Sequence, residues 1–189
     1  EEAIEKGEID GIVLGRPSLA DPYYAHKVEM GRPDKIRPCI GCTTCCYKIF
    51  DGCEHVACAV NPQLQKESYY QTVPALVKKK VAVIGGGIAG MEAARIAKMR
   101  GHDVTIYEKS GCLGGLLLPA GAHVFKEEIR QLVKWYIQEI EELKIPVIYH
   151  REMDADAIKR LNPDVVINAV GAHAVVPDIP GADHKKCKT

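Results

Sequence analysis

Residues 81–90 read Val-Ala-Val-Ile-Gly-Gly-Gly-Ile-Ala-Gly, and this stretch decides the fold of the chain. Its first four residues are apolar and mostly β-branched, which predicts a short buried strand, and the glycines after them predict a tight loop. The alanine-rich sequence over 88–100 predicts a helix that ends at Gly101. Residues 104–107, Val-Thr-Ile-Tyr, predict a second strand. Together these elements form one βαβ unit, which implies a parallel sheet.

The alternation of strand and helix continues toward the end of the chain. Apolar residues at steps of three and four predict an amphipathic helix, namely Ile129, Leu132, Val133, Tyr136, Ile137, Ile140 and Leu143. A short strand at 147–149, a helix over 155–161 and a buried strand over 165–170 follow. We therefore predict an α/β fold with a parallel, Rossmann-like sheet over residues 78–189.

The loop after the first strand has the spacing Gly-x-Gly-x-x-Gly, which binds dinucleotides when it lies between a strand and a helix. We expect Gly85 to permit the tight turn, Gly87 to let the backbone approach a pyrophosphate, and Gly90 to let the helix lie close to the strand. The first turn of the helix then offers free N–H groups and a positive dipole to the phosphates. Glu108 ends the next strand about twenty residues further on, where a carboxylate accepts from ribose hydroxyls and repels a 2′-phosphate.

Six of the eight cysteines fall within residues 39–58, namely Cys39, Cys42, Cys45, Cys46, Cys53 and Cys58, and the others are Cys112 and Cys187. Such dense spacing predicts a metal centre, because disulfides are rare in a reducing compartment. The pattern is C-x2-C-x3-C-x11-C if Cys46 is the third ligand and C-x2-C-x2-C-x12-C if Cys45 is. Both spacings suit one [4Fe-4S] cluster, whereas a four-cysteine zinc site usually has two C-x-x-C pairs. We expect Cys53 and the spare member of the doublet to be bystanders, and the whole of residues 31–77 to be an irregular segment organised by its metal.

Charge and hydropathy exclude several classes of partner. Lysine plus arginine equal aspartate plus glutamate at 25 each, so no overall field favours nucleic acid or an anionic membrane. No apolar run has the length of a membrane span, and residues 1–6 lack the pattern of a signal peptide. We therefore expect a cytoplasmic protein without nucleic-acid or membrane partners. The chain begins at Glu1, and this start, together with the domain organisation, suggests a piece of a longer chain.

Several short motifs after the glycine loop resemble the two-dinucleotide-binding flavoprotein reductases. They are Glu108-Lys109, Leu113-Gly114-Gly115, Val170-Gly171-Ala172, Pro177 and Pro180-Gly181. In that family these segments line FAD, so the resemblance implies that Gly114, Gly115 and Gly171 contact FAD. It also implies that residues 78–189 are an FAD-binding domain, incomplete at its C-terminus, and that the NAD(P)H-binding part lies outside this chain.

A second resemblance covers nearly the whole chain. The motifs Gly15-Arg16-Pro17, Ala20-Asp21-Pro22, Arg37-Pro38-Cys39-Ile40-Gly41-Cys42 and Cys58-Ala59-Val60-Asn61-Pro62 precede the glycine loop in this order. The chain thus resembles the family of 2,4-dienoyl-CoA reductase, 2-enoate reductase and trimethylamine dehydrogenase. Its members begin with an FMN-binding TIM barrel of the old yellow enzyme type and continue with iron-sulfur, FAD and NAD(P)H modules.

This resemblance implies a role for each segment. Residues 1–30 correspond to the C-terminal end of the barrel, with a buried-strand pattern at 9–14 and a helix-like stretch over 21–30, and Gly15 and Arg16 correspond to FMN phosphate ligands. The cluster ligands are Cys39, Cys42, Cys46 and Cys58 if the chain follows the reductase branch. Spacing from Cys45 is typical of the amine dehydrogenase branch.

The implied function is an electron relay from NAD(P)H through FAD and the [4Fe-4S] cluster to FMN, ending in reduction of an activated C=C bond. No catalytic residue of the substrate reaction lies in this chain, and its partners are the missing barrel and NAD(P)H-binding parts of the same polypeptide and a small-molecule substrate, with a homo-oligomer left open. Two alternatives remain at this point. One is an amine dehydrogenase in which the nucleotide fold holds only ADP. The other is a zinc-binding structural adaptor whose glycine loop is empty or holds a regulatory nucleotide.

Overall fold

A computed structural model describes residues 2–50, 52, 55–172, 175, 176, 178–182 and 184. Expectations for Cys53, Pro177 and Cys187 therefore lie outside the described residues. No helix in the described part of the chain has the length and apolar character needed to cross a membrane.

The centre of the molecule is a four-stranded parallel sheet. Its strands are β1 (Lys80–Ile84), β2 (Asp103–Tyr107), β3 (Val147–Ile148) and β4 (Val165–Asn168), and they lie in the order β3-β2-β1-β4. Strand β1 pairs with β2 on one side and with β4 on the other, in parallel register. The α/β class and the parallel Rossmann-like sheet predicted from the sequence are confirmed.

Eight α-helices lie within the described residues, together with a 3₁₀ turn at Pro33–Lys35. They are α1 (Glu2–Glu5), α2 (Arg16–Ala20), α3 (Tyr24–Glu29), α4 (Thr44–Phe50), α5 (Ile88–Met99), α6 (Leu117–Ala120), α7 (Glu127–Glu142) and α8 (Ala155–Leu161). The bounds of α5, α7 and α8 agree with the sequence-based expectation to within two residues. Helix α5 ends before Gly101, whose φ of +93° belongs to the left-handed region expected just beyond a helix.

The hydrophobic core lies between the sheet and helices α5 and α7. Helix α5 packs on β1 and β2, and α7 packs on α5. The largest fully buried side chains include Tyr136, Met91, Ile106, Leu132 and Ile140, and three of these five belong to the predicted apolar stripe of α7. Burial of that stripe holds α7 in place, since a fully buried side chain of this size contributes about 1.5–3 kcal/mol.

The first half of the chain differs in two details from the pattern read from the sequence. Residues 11–14 belong to no strand, and Val13 is 97% exposed. No described strand lies beside them, so their backbone has nothing to pair with and their apolar side chains have nothing to pack against. The cysteine segment is also less irregular than predicted, because it contains helix α4.

Candidate functional site

The glycine loop lies where β1, β2 and β4 end. The amide of Gly85 donates to the carbonyl of Tyr107 at the end of β2 (2.8 Å), and the amide of Ala169 after β4 donates to the carbonyl of Ile84 (2.8 Å). Strands β2 and β3 lie on one side of β1 and β4 lies on the other, so the strand order reverses at β1. The loop after β1 therefore lies at the topological switch point. Open parallel sheets bind their ligands at this place.

Gly85 and Gly90 are required by close backbone approaches. Gly85 has a φ of +107°, and a Cβ atom there would lie 2.3 Å from the carbonyl oxygen of Ala169. A Cβ atom on Gly90 would lie 1.9 Å from the carbonyl oxygen of Gly85 and 3.3 Å from Val83 Cγ1. Only glycine lets α5 begin this close to the end of β1, as the sequence predicts.

Gly87 instead borders open space, as a phosphate-binding position requires. A Cβ atom there would have no neighbour within 4 Å. Gly87 is the N-cap residue of α5, and among the described residues no side chain caps this helix end. The first N–H groups of α5 and the positive end of its dipole are therefore available to an anion. The loop thus fits the pyrophosphate of a dinucleotide.

Glu108 lies at the carboxyl end of β2 and is oriented by two backbone amides. Its Oε2 accepts from the amide of Gly86 (2.6 Å) and its Oε1 from the amide of Ser110 (2.7 Å). Burial of this 8% exposed residue opposes ionisation, but the two amides outweigh burial and lower the pKa of the carboxyl. An ionised carboxylate keeps further lone pairs for ribose hydroxyls.

The sequence-based analysis assigned no role to Gly86, the variable position inside the fingerprint. A Cβ atom on Gly86 would lie 2.5 Å from Leu113 Cδ2 and 3.0 Å from Glu108 Oε2. Any larger residue would push the carboxylate out of place. No rule of motif spacing could have revealed this, because the contact arises from the loop that follows β2.

The other predicted nucleotide-contacting glycines lie beside the loop. Gly114 forms an isolated β-bridge with Gly87, and its amide donates to the carbonyl of Gly86 (2.9 Å). A Cβ atom on Gly115 would lie 3.0 Å from the Cα of Gly87. Gly171 follows β4 with a φ of +82°, and a Cβ atom there would have no neighbour within 4 Å. All of them border the same edge of the sheet.

Four cysteines line one small cavity in the segment before the sheet. These are Cys39, Cys42, Cys45 and Cys58. Cys46 does not line this cavity, and its Sγ is 3.9 Å from the Sγ of Cys45. Within the described residues, no three His, Cys, Asp or Glu side chains converge closely enough to hold a single metal ion. Three of the predicted ligands, Cys39, Cys42 and Cys58, thus share a cavity with Cys45, and the choice of the third ligand between Cys45 and Cys46 stays open.

Hydrogen-bond donors of the cysteine segment provide a polar environment for a thiolate. Burial opposes ionisation of Cys42, but hydrogen bonds from the side chain and amide of Thr44 and from the amide of Ala59 lower the pKa of its thiol. Burial, followed by the neighbouring Cys46, raises the pKa of the Cys45 thiol. Backbone amides that donate to thiolates also tune an iron-sulfur cluster, so the donors present here fit such a group.

Arg16 lies against this cavity. It is one of the cavity-lining residues, and its Nη1 would be 3.8 Å from a Cβ atom on Gly41. Gly15 is the N-cap residue of α2, directly before it. The structure therefore brings the predicted FMN phosphate ligand Arg16 next to the cysteine loop, a proximity that the motif alone did not predict.

Sequence-based analysis missed a cluster of buried charged residues between the cysteine segment and the α/β domain. Arg37 and Arg95 both lie over the ring of Trp135, and both pair with Glu92. Trp135 is the only tryptophan of the chain and is 6% exposed, but it lies beside the apolar stripe of α7 and not on it. A single large aromatic residue next to that stripe, three residues after Leu132, was the available signal.

Comparison with known proteins identifies a family for the region that contains the nucleotide loop. The family model of the pyridine nucleotide-disulphide oxidoreductases matches residues 79–189. Cinnamate reductase of Clostridium sporogenes is 41% identical over 182 residues, which cover 96% of this chain and 27% of that protein.

Two solved structures share the fold over almost the whole chain. The complex of 2-naphthoyl-CoA reductase with 2-naphthoyl-CoA has a TM-score of 0.91 and 39% identity, covering 97% of this chain and 28% of that one. Histamine dehydrogenase from a Rhizobium species has a TM-score of 0.83 and 28% identity, covering 91% of this chain and 26% of that one. The present chain thus spans little more than a quarter of these relatives.

The relatives include both a reductase branch and an amine dehydrogenase branch, as the motifs had suggested. The chain therefore belongs to the pyridine nucleotide-disulphide oxidoreductase family, in the group that joins enoate and dienoyl-CoA type reductases with trimethylamine dehydrogenase type enzymes.

Proposed function

We propose that this chain is the cluster- and FAD-carrying part of an NAD(P)H-dependent iron-sulfur flavoprotein oxidoreductase. The full protein would relay electrons from NAD(P)H through FAD and a [4Fe-4S] cluster to FMN and reduce an activated C=C bond. One observation carries the proposal: a nucleotide loop with an open phosphate position and a cavity lined by four cysteines belong to the same short chain. Bound flavin and cluster would supply the electron-transfer chemistry, and the protein positions and tunes them.

Each group of residues has a defined task in this proposal. The amides after Gly87 bind the pyrophosphate of FAD, Glu108 accepts from the ribose hydroxyls, and Gly85 and Gly90 shape the loop. Gly114, Gly115 and Gly171 border the remainder of the nucleotide. The cluster is held by Cys39, Cys42, Cys58 and one member of the Cys45-Cys46 pair, and Gly15 and Arg16 contact the FMN phosphate.

The domain assignment is part of the same proposal. Residues 1–30 complete a flavin-binding barrel, 31–77 hold the cluster, and 78–189 bind FAD. The exposure of Val13 and Ile12 supports the first point, since unpaired apolar residues of this kind are what a strand needs for packing in a larger sheet. The partners proposed are therefore the barrel and NAD(P)H-binding parts of one polypeptide and a small-molecule substrate. The clustered thiols support a reducing, cytoplasmic location.

The relatives support a reductase of unsaturated carboxylic compounds. One is named for cinnamate and another was solved with 2-naphthoyl-CoA, and both substrates have a double bond or ring conjugated to a carbonyl group. Such a carbonyl makes the bond a hydride acceptor. We propose the same class of substrate for the whole protein to which this chain belongs.

One observation favours a second candidate, an amine dehydrogenase. Cys45, and not Cys46, lines the cavity with the other three cysteines. That choice gives the C-x2-C-x2-C-x12-C spacing of the amine dehydrogenase branch, and histamine dehydrogenase is among the structural relatives. In this candidate ADP takes the place of FAD in the nucleotide site.

The test is an anaerobic visible spectrum of the purified or reconstituted protein, with iron, sulfide, zinc, flavin and ADP assayed on the same sample. About four iron and four sulfide per chain together with FAD support the reductase, since a [4Fe-4S] cluster has this composition. A cluster with ADP supports the amine dehydrogenase. Stoichiometric zinc without visible absorbance or nucleotide would refute both proposals and leave the zinc adaptor.

The third ligand is tested by a matched set of variants, Cys45→Ala, Cys46→Ala and the double variant. Loss of the cluster in only one single variant identifies the ligand and with it the branch. Retention in both single variants and loss in the double variant would mean that either thiol can serve. Retention of a full cluster in the double variant would remove this pair from the proposed ligand set.

A further inference from the structure

We propose that Arg37 is a positioning residue that fixes the cysteine segment, residues 31–77, against α5, the helix that follows the nucleotide loop. Its guanidinium joins both ends of the cysteine segment to α5 and α7, and so sets the cluster cavity relative to the nucleotide loop. The inference rests on the proposed function, because it concerns two cofactors that only that function brings together.

Arg37 contacts three parts of the chain. Its backbone amide donates to Asp21 Oδ2 (2.8 Å), in the segment before the cysteines. Its Nη1 donates to the carbonyl oxygen of Val60 (2.8 Å), and its Nη2 lies 3.6 Å from Glu92 Oε1 on α5. Arg37 precedes Cys39 by two residues and Val60 follows Cys58 by two residues. One side chain therefore ties the two ligand-bearing ends of the segment to each other and to the helix whose N-terminus forms the nucleotide loop.

Trp135 on α7 supplies the surface on which this contact is made. The Arg37 Cζ atom lies 4.7 Å from the centroid of the Trp135 ring, and the Arg95 Cζ atom lies 5.6 Å from it. The indole Nε1 donates to the carbonyl oxygen of Lys35 (3.0 Å), two residues before Arg37. A cation over an aromatic face is attracted by the ring, and more strongly so away from water.

Carboxylates on α5 and α7 balance the positive charges of Arg37, Arg95 and Lys35. Glu92 accepts two hydrogen bonds from Arg95 (3.0 Å each), and Arg95 Nη1 lies 3.7 Å from Glu139. Burial opposes ionisation of Glu92, but Arg95 and Arg37 outweigh burial and lower the pKa of its carboxyl. Lys35 pairs with Glu139 (3.2 Å) and also contacts Glu142. Among the described residues no buried side-chain nitrogen or oxygen lacks a hydrogen-bond partner.

The low exposure of these charged side chains indicates that they fix the orientation of the cysteine segment. The side chains of Arg37 and Arg95 are 9% and 8% exposed, and that of Glu92 is 16% exposed. Exposed ion pairs hold position weakly, whereas removal of one member from a buried, hydrogen-bonded set leaves an uncompensated charge. The contact therefore allows few alternative orientations of the cysteine segment relative to α5 and α7.

The test compares Arg37→Met with Arg32→Met in the full chain reconstituted with iron, sulfide and FAD. Methionine keeps most of the aliphatic volume of arginine and removes its charge and donors. Arg32 lies in the same segment and pairs with Asp34 (3.1 Å) and with Glu142 on α7 (3.8 Å), but its side chain is 51% exposed and both are surface pairs, so it serves as the control for an exposed contact. Iron and flavin content and the unfolding midpoint are measured first.

Two measurements then report on position. Hydrogen exchange of the amides of residues 36, 37, 39–41 and 58–61 is expected to become at least a hundredfold faster in Arg37→Met, since losing one member of a buried ion pair costs about 3–5 kcal/mol, with α5 and α7 unchanged. FAD fluorescence lifetimes are measured with and without the cluster, because a visible-absorbing cluster quenches the flavin according to their separation. We expect the quenching ratio to fall in Arg37→Met and to stay at the wild-type value in Arg32→Met.

Local stability alone would change the exchange rates but not the quenching ratio of molecules that retain both groups. Wild-type exchange rates and quenching in Arg37→Met would therefore overturn the proposal, as would faster exchange with unchanged quenching. If Arg37→Met fails to fold, the isosteric Glu92→Gln variant removes the same ion pair from the α5 side, with the same expected and refuting results. A wild-type chain that binds no cluster or no FAD would refute the proposed function, and the inference with it.

Discussion

Replacing Gly87 by alanine is expected to weaken nucleotide binding without harming the fold. Its φ of −73° and ψ of −178° are allowed for alanine, and an added Cβ atom would have no neighbour within 4 Å. The stability of the unliganded chain should stay equal or rise by about 0.4–1 kcal/mol, because alanine reduces the entropy of the unfolded state. The methyl group would however occupy the space that a phosphate must enter.

The loss in affinity follows from the hydrogen bonds that the phosphate would lose. A hydrogen bond to a charged group contributes about 1.5–3 kcal/mol, so displacement from even one amide of the α5 N-terminus weakens FAD binding by about ten- to a hundredfold. Titration of the chain with FAD, followed by flavin fluorescence, measures this change. Urea unfolding of the same unliganded samples measures stability.

Gly90→Ala is the matched control, with the opposite expected pattern. In this variant the new Cβ atom would lie 1.9 Å from the carbonyl oxygen of Gly85, so α5 must move away from β1. Overpacking of this kind costs about 1–3 kcal/mol. We expect a lower urea midpoint in the unliganded chain. Wild-type FAD affinity in Gly87→Ala would refute the assignment of the pyrophosphate to this loop, and wild-type stability in Gly90→Ala would refute the close approach of helix and strand.

Three further predictions concern single side chains. The interactions that lower the pKa of Glu108 stabilise the fold at pH values above the ordinary pKa of a carboxyl. This contribution is lost as the pH falls through the lower pKa of the folded state. Urea midpoints of wild type and Glu108→Gln should therefore differ at neutral pH and converge in acid. Asp154→Ala removes the N-cap of α8, whose Oδ1 accepts from the Ala157 amide (2.7 Å), and should lower the free energy of unfolding by about 1 kcal/mol in urea titrations; an unchanged value would show that the cap adds nothing. Trp135→Phe removes the hydrogen bond to the Lys35 carbonyl and should speed amide exchange over 33–37, and equal protection in the two proteins would contradict the docking role of the indole.

The parallel sheet and its glycine loop were predictable because their signals are local. Alternating strand and helix patterns from Lys80 onward demand a parallel sheet, and the glycine spacing demands a tight strand-to-helix turn. Helix α8 was predicted with the bounds that the structure has, and the structure adds the N-cap Asp154 and the left-handed Asn162 at its two ends. The density of cysteines likewise pointed to one metal-binding segment.

The features that differ from the sequence pattern depend on contacts that the pattern cannot supply. Residues 9–14 have the composition of a buried strand, but a strand exists only when another strand pairs with it. Helix α4 carries the cysteine doublet, whose sequence has no helical periodicity, so it could not be recognised by pattern. The choice between Cys45 and Cys46 also depends on which thiol the folded segment turns toward the cavity.

By itself the sequence determined the fold class and the order of the elements of the α/β domain, and it predicted the residues of both candidate sites, because these follow from residue type and spacing along the chain. Only the tertiary structure decided how the two sites are joined. Arg37, Glu92 and Trp135 lie on three separate segments, and no spacing rule links residues that far apart. They meet because the sheet brings α5 and α7 side by side, and their charges can be buried only where all of them are paired at once.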